Sequence, residues 1–128
     1  MKKTKKTFKF RSGLEVRVAE QLEGLGVDYD YEPYSINFER PAQTSRYTPD
    51  FLILINGLLV ETKGRFTSQE RKKFKLIREQ HPDLDLRFVF SNPNTRIGKK
   101  SQTTYGMWCE RIGYRYAKET IPTEWLKK

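Results

Sequence analysis

Three charged residues of this 128-residue chain have types and spacing that suit hydrolysis at phosphorus: Asp50, Glu61 and Lys63. Asp50 follows Pro49, and eleven residues later comes Glu61-Thr62-Lys63. The stretch holds two apolar runs, FLILI (51–55) and LLVET (58–62), the second of which includes Glu61, separated by Asn56-Gly57. Asn-Gly between two such runs is the strongest short-range signal for a hairpin with a two-residue type I′ turn. In that register Ile55 pairs with Leu58, Leu52 with Glu61 and Asp50 with Lys63. Cross-strand partners share a face, as do residues two apart on one strand, so all three charges project to one side. Asp50 and Glu61 become diagonal neighbours, roughly 7–8 Å apart at Cα.

Two carboxylates held that close repel, so one takes up a proton or a cation sits between them. A hard divalent ion such as Mg²⁺ takes oxygen ligands and keeps positions for water and phosphate. Such an ion activates a water and stabilises charge at a phosphoryl centre. Lys63 beside it is placed to orient or deprotonate that water. The plain alternative is a surface salt-bridge cluster, which is common and worth little. The flanking strands, apolar on both faces, argue against it, because three charges on a doubly buried hairpin are costly without a role. Glu15 is a fourth candidate. At about 100° per residue it falls inside the apolar arc of Leu14, Val18, Leu22 and Ala19. It also stands three residues after Ser12, where a first-turn Glu completes a capping box, and the two roles stay open.

The elements that must position these residues follow from periodicity and caps. Ser12 opens a helix that Gly24 and Gly26 stop, and Val27, Tyr29 and Tyr31 alternate as a strand up to Pro33. Ile36 and Phe38 form a short second strand, and residues 40–46 read as linker. Thr67 and Glu70 repeat the capping-box spacing and begin a helix that His81-Pro82 ends. Leu84, Leu86, Phe88 and Phe90 alternate as a strand. A basic loop, 91–101, leads to a helix with Tyr105, Trp108, Cys109 and Ile112 on one face, closed by Gly113. Tyr114–Ala117 forms a last short strand and Ile121–Leu126 a terminal turn. The fold class is α/β, a small mixed sheet flanked by helices. One domain covers 10–128, preceded by a disordered basic arm, 1–9.

Composition narrows the partners. Lys and Arg number 25 against 16 Asp and Glu, a net charge of +9. That balance points to a polyanion. Lysines 2, 3, 5 and 6 (Lys2, Lys3, Lys5, Lys6) crowd the arm. Arg71, Lys72, Lys75 and Arg78 form a stripe on one helix face, and Arg96, Lys99 and Lys100 lie in a loop without acids. These read as phosphate contacts that position DNA without reading sequence. A single cysteine, Cys109, excludes internal disulfides and a cysteine zinc cluster, and reads as a buried small hydrophobe. A single histidine, His81, sits before Pro82 and reads as a helix C-terminal residue. No apolar run approaches the ~20 residues of a membrane span, and no signal-peptide stretch opens the chain, so a soluble cytoplasmic protein is expected.

Pro-Asp followed by Glu-x-Lys on a hairpin resembles the motif of restriction-endonuclease-like nucleases. The blocks FRSGLE (10–15), YTPDF (47–51), VETKG (60–64), RKK (71–73), IREQHP (77–82), TTYGMWCE (103–110) and IPTEW (121–125) are similar to the phage endonuclease I family of Holliday-junction resolvases. The resemblance implies a restriction-endonuclease-like core and two Mg²⁺ or Mn²⁺ ions per site. Asp50 would bridge the ions, Glu61 and the Thr62 carbonyl would complete the first, and Glu15 would serve the second. Lys63 would act on the nucleophilic water. It implies an intertwined homodimer with the N-terminal helix exchanged, so that Glu15 acts in the partner's site and residues 35–46 form the crossing bridge. Branched DNA, the four-way junction, is then the substrate, cut in the cytoplasm of a phage-infected or prophage-bearing cell. The alternatives are another nuclease of the same core, cutting transposon ends or nicking mismatches, and a basic DNA-binding module without activity.

Overall fold

Helix α1 (Gly13–Gly24) begins where the Ser12 hydroxyl accepts the Glu15 N–H at 3.1 Å. Its apolar stripe of Leu14, Val18, Ala19 and Leu22 is buried, and Glu15 is buried with it. The computed structural model describes residues 8–40 and 42–128, so Lys2, Lys3, Lys5 and Lys6 of the arm lie outside the described residues. At the arm's end, Phe8 is not loose. Its ring packs on those of Phe10, Tyr29 and Tyr31.

Strands β1 (Tyr29–Tyr31), β4 (Phe51–Ile53), β5 (Leu59–Lys63), β6 (Leu86–Phe90) and β7 (Tyr116–Lys118) form one sheet in the order β1-β4-β5-β6-β7. The β1–β4 and β4–β5 pairs are antiparallel, whereas the β5–β6 and β6–β7 pairs are parallel. Parallel neighbours need crossovers, supplied by α2 (Ser68–Gln80) and α3 (Tyr105–Ile112). Thr67 and Glu70 close a complete capping box on α2, His81 caps its C-terminus, and Gly113 caps α3 with a left-handed φ of 107°. A 3₁₀ turn, Thr123–Leu126, ends the chain's described structure. The α/β class and the mixed sheet are as expected. No helix among the described residues is long and apolar enough to cross a membrane.

Two apolar clusters sandwich the sheet. On one face α1 and the C-terminal turn pack against Phe51, Ile53, Val60 and Val89. On the other, α2 and α3 pack through Phe74, Ile77, Trp108 and Cys109 against Leu59, Phe88 and Phe90.

Two expectations are corrected. Residues 40–46 are not a linker: β2 (Ile36–Arg40) turns back into β3 (Gln43–Tyr47) as a hairpin in register Ile36↔Tyr47 to Arg40↔Gln43. This hairpin buries Ile36, Phe38 and Tyr47 in the α2-side cluster, and Gln80 and His81 bond its backbone at Glu39 and Asn37. Its sequence QTSRY has a single large apolar residue, so tertiary contact rather than local pattern makes it a strand.

The turn between β4 and β5 also differs. It is a four-residue loop, 54–57, closed by Ile53 N–H to Leu58 O and Gly57 N–H to Ile53 O, each 2.8 Å. Asn56 is drawn away from a type I′ turn by the C-terminus. Its Nδ2 donates to Trp125 O at 2.8 Å and Lys127 O at 3.0 Å, while its Oδ1 accepts the Leu58 N–H. The register becomes Phe51↔Val60 and Leu52↔Leu59, two residues from the two-residue-turn expectation. A slip of one would have turned every side chain to the other face, but a slip of two preserves the faces.

Candidate active site

Continued by one step, that register puts Asp50 directly opposite Glu61 rather than diagonal to it, at the ends of β4 and β5. Asp50 is 2% exposed. Its Oδ2 accepts both the Thr62 N–H at 2.8 Å and the Thr62 hydroxyl at 2.9 Å. Its Oδ1 faces the Arg11 guanidinium at 3.5 Å. Its backbone carbonyl takes the N–H of Glu32, whose φ of 49° is left-handed and whose carboxylate holds Arg11 at 2.7 Å.

Glu61 is 5% exposed and splits its oxygens in the same way. Oε1 accepts the Tyr47 hydroxyl at 2.6 Å, and Oε2 faces Lys63 Nζ at 3.4 Å. Lys63 also pairs with Glu70. Glu70 thus serves twice, in the α2 capping box and as an anchor for Lys63. Glu15, 5% exposed, lies on the Arg11 side of Asp50 in the same chain. Its Oε1 accepts the Tyr31 hydroxyl at 2.6 Å and the Arg11 N–H at 2.8 Å. The capping box expected of Glu15 is therefore half present, because its carboxylate bonds Arg11 instead of Ser12.

Burial dominates the electrostatics. It pushes the Asp50 carboxyl up to about 6, with the Glu15 charge adding to the rise and the Thr62 bonds opposing it. Burial pushes Glu61 up to about 8, helped by the charge of Asp50 and opposed by Lys63 and Tyr47. Burial pulls Lys63 down, but Glu61 and Glu70 outweigh it and the ammonium is held above its ordinary range. Two carboxyls raised by burial and by one another are a site that a cation stabilises.

The donor set fits a hard divalent ion. Asp50 Oδ1 faces the Arg11 guanidinium and Glu61 Oε2 faces Lys63, and the Thr62 carbonyl follows Glu61 directly in the chain. Among the described residues no three acidic, histidine or cysteine side chains are grouped so that they alone could hold a metal ion. An ion held by two carboxylates and a carbonyl keeps positions for water and phosphate, as Mg²⁺ chemistry requires. Such an ion would supply a polarised water and neutralise phosphate charge.

Tyr47, Glu70, Arg11 and Tyr31 reach the site, although spacing gives none of them a role there. Tyr47 ends a strand that local pattern does not reveal, so only the motif YTPDF carried it. Lys73 was missed as well. Burial pulls its ammonium down, and it lies over the rings of Tyr47 and Phe74 at 5.1 and 5.0 Å.

The basic residues divide. α2 starts just after β5, and the 91–101 loop leaves β6 beside Lys63, where the Ser91 N–H bonds Lys63 O at 3.1 Å. Lys72, Lys75, Lys99 and Lys100 are exposed, and Arg96 is exposed within a short bridge to Thr104. Arg71 folds back onto Phe66 O at 2.6 Å. Arg78 donates to Pro82 O at 2.7 Å at the far end of α2. Within the expected stripe of Arg71, Lys72, Lys75 and Arg78, the two end members thus also bond backbone carbonyls and are half-buried, while the two lysines between them are exposed. Cys109 is fully buried, with its thiol pushed up to about 12, as a structural hydrophobe requires.

Comparison with known proteins supplies the remaining finding. The family model for phage endonuclease I matches residues 1–128. The chain is 51% identical over 119 residues to Endonuclease I of Escherichia phage T7, covering 93% of this chain and 79% of that protein. It is 50% identical over 119 residues to Endodeoxyribonuclease 1 of Enterobacteria phage T3, covering 93% and 78%.

Proposed function

The chain belongs to the phage endonuclease I family, and on that footing we propose that it resolves four-way DNA junctions as a metal-dependent endonuclease. That it is a DNA endonuclease follows from the family and its named relatives. The observation that carries the finer reading is the pair of buried carboxylates, Asp50 and Glu61, set opposite each other beside Lys63.

In this reading Asp50, Glu61 and the Thr62 carbonyl hold Mg²⁺ or Mn²⁺, and Glu15 serves a second ion on the Arg11 side of Asp50. Thr62 fixes one oxygen of Asp50 and Tyr47 fixes one oxygen of Glu61, so each carboxylate presents its other oxygen in a set direction. Lys63, anchored by Glu70, donates to the attacking water and to a phosphate oxygen. Arg11 leaves Asp50 and takes phosphate charge. The core is of the restriction-endonuclease type. Lys2, Lys3, Lys5, Lys6, Arg71, Lys72, Lys75, Arg78, Arg96, Lys99 and Lys100 contact DNA phosphates.

Resolution of a junction needs two opposed nicks, hence two sites related by a two-fold axis, and one chain carries one Asp50–Glu61–Lys63 cluster. The proposed homodimer exchanges its N-terminal segment across the bridge of residues 35–46, crossing at the turn between β2 and β3. Glu15 of each chain then stands beside Asp50 of the other, in the arrangement seen here within one chain.

The test is cleavage of end-labelled four-way junction and matched linear duplex, each with Mg²⁺ and with EDTA. Paired nicks in the junction, lost in EDTA and weak on duplex, are expected. Equal cutting of duplex would move the assignment to another nuclease of the same core, and no cutting of either DNA would overturn it.

A further inference from the structure

We propose that the groove between the β2–β3 hairpin and the first turns of α2 seats the sugar–phosphate backbone of the DNA arm leading to the scissile phosphate. The proposal rests on the nuclease reading above. The groove encloses about 640 Å³ and is lined by Arg40, Arg46, Lys72 and Lys73, with the amides of Gln43 and Gln69 between them. No carboxylate lines it.

That one-sided lining sets it apart from other basic surface. At the other end of α2 a hollow of about 270 Å³ carries Arg78, Arg87 and Arg115, but Asp83 and Asp85 line it too. Arg87 is bound there to Asp85 at 3.0 Å. Cations matched by acids have little charge left for a polyanion, whereas four cations and two amide donors suit successive phosphates.

The groove is also pre-organised and leads to the site. The Arg40 guanidinium is held by Ser45 Oγ at 2.9 Å and lies over the Phe38 ring at 4.9 Å. At the inner end Lys73 lies over the Tyr47 ring, whose hydroxyl bonds Glu61. A backbone in the groove therefore arrives one side chain from the catalytic carboxylate. Arg46, Lys72 and Lys73 all follow the turn between β2 and β3, so exchange of the N-terminal segment leaves them on one chain.

Arg46 and Lys72 have exposed side chains, so the double variant Arg46→Gln/Lys72→Gln removes two charges without disturbing the core. Junction binding is measured against salt concentration in EDTA, with a thermal melt to check folding. Loss of two phosphate contacts per groove, four in the junction-bound dimer, lowers the log–log salt slope by about 3.6, at roughly 0.9 per contact. The charge-keeping variant Arg46→Lys/Lys72→Arg should retain the wild-type slope, and Arg115→Gln in the opposite hollow should leave it unchanged. A wild-type slope in Arg46→Gln/Lys72→Gln overturns the groove, as does a per-charge fall from Arg115→Gln equal to that of the double variant. Cleavage of junction DNA by the wild-type protein separates that outcome from failure of the nuclease reading, which would remove the groove's role with it.

Discussion

Thr62 gives both its amide and its hydroxyl to one oxygen of Asp50, at 2.8 and 2.9 Å. The second oxygen of Asp50 is left facing Arg11, just as Glu61, tied by Tyr47, leaves its second oxygen facing Lys63. Each carboxylate is thus half fixed and half available.

The first consequence concerns cleavage. Asp50→Ala or Glu61→Ala should lower the junction-nicking rate by at least about 10²–10³-fold, the scale of losing one preorganised electrostatic stabiliser. Binding in EDTA should hold or tighten, because a negative charge leaves a polyanion site. Lys63→Ala should lose cleavage equally yet keep Mg²⁺ binding by calorimetry. Near wild-type nicking by either carboxylate variant would remove the assignment.

Tyr47 acts through Glu61 and not on substrate. Tyr47→Phe keeps the ring that Phe74 and Lys73 pack on but frees Glu61 Oε1. Orienting partners of metal ligands typically contribute 10–100-fold in affinity, so the Mg²⁺ concentration for half-maximal cleavage should rise by about that factor. The rate at saturating Mg²⁺ should change less. An unchanged Mg²⁺ requirement would leave the tyrosine a purely structural role.

Stability of the metal-free protein should fall as pH rises. Asp50 at about 6 and Glu61 at about 8 lie above their ordinary values of 3.8 and 4.5. The folded state therefore binds more protons than the unfolded chain, so its stability is fullest below the unfolded values and declines through pH 8. Each group contributes a slope of up to about 1.4 kcal/mol per pH unit. Thermal melts in EDTA from pH 5 to 8 should fall more steeply for wild type than for Glu61→Gln. Saturating Mg²⁺, which binds the deprotonated carboxylates, should abolish that difference. Parallel pH curves for the two proteins in EDTA would contradict the raised Glu61.

Exchange of the N-terminal segment is separable from metal chemistry by mixing dead chains. A heterodimer of Glu15→Ala with Asp50→Ala holds one site with both defects and one with none if the segment is exchanged. It should then nick one strand at about half the wild-type site count. Without exchange each site keeps one defect and the heterodimer is inert. The chains must be co-expressed, and a wild-type/double-mutant heterodimer supplies the positive control.

Much of the site was legible because local rules decide it. Alternation along β5 puts Glu61 and Lys63 on one face whatever the turn does, and the hairpin brings Asp50 to the same end. The wheel of α1 places Glu15 inside the apolar arc, where it is found buried beside Leu14 and Val18. Caps at Ser12, Thr67 and Gly113 mark helix ends through hydrogen bonds made within a few residues.

Long-range contacts decided the rest. The β4–β5 register depends on Asn56 reaching Trp125 and Lys127, some seventy residues on, which no turn preference contains. Strand β3 exists because β2 and α2 offer partners to a polar segment, and with it Tyr47 comes to Glu61. On α2 Arg71 and Arg78 find backbone carbonyls, while Arg40 and Arg46 arrive across the groove from the hairpin. Periodicity along a chain determines which side of an element a residue occupies; only packing determines what stands opposite it.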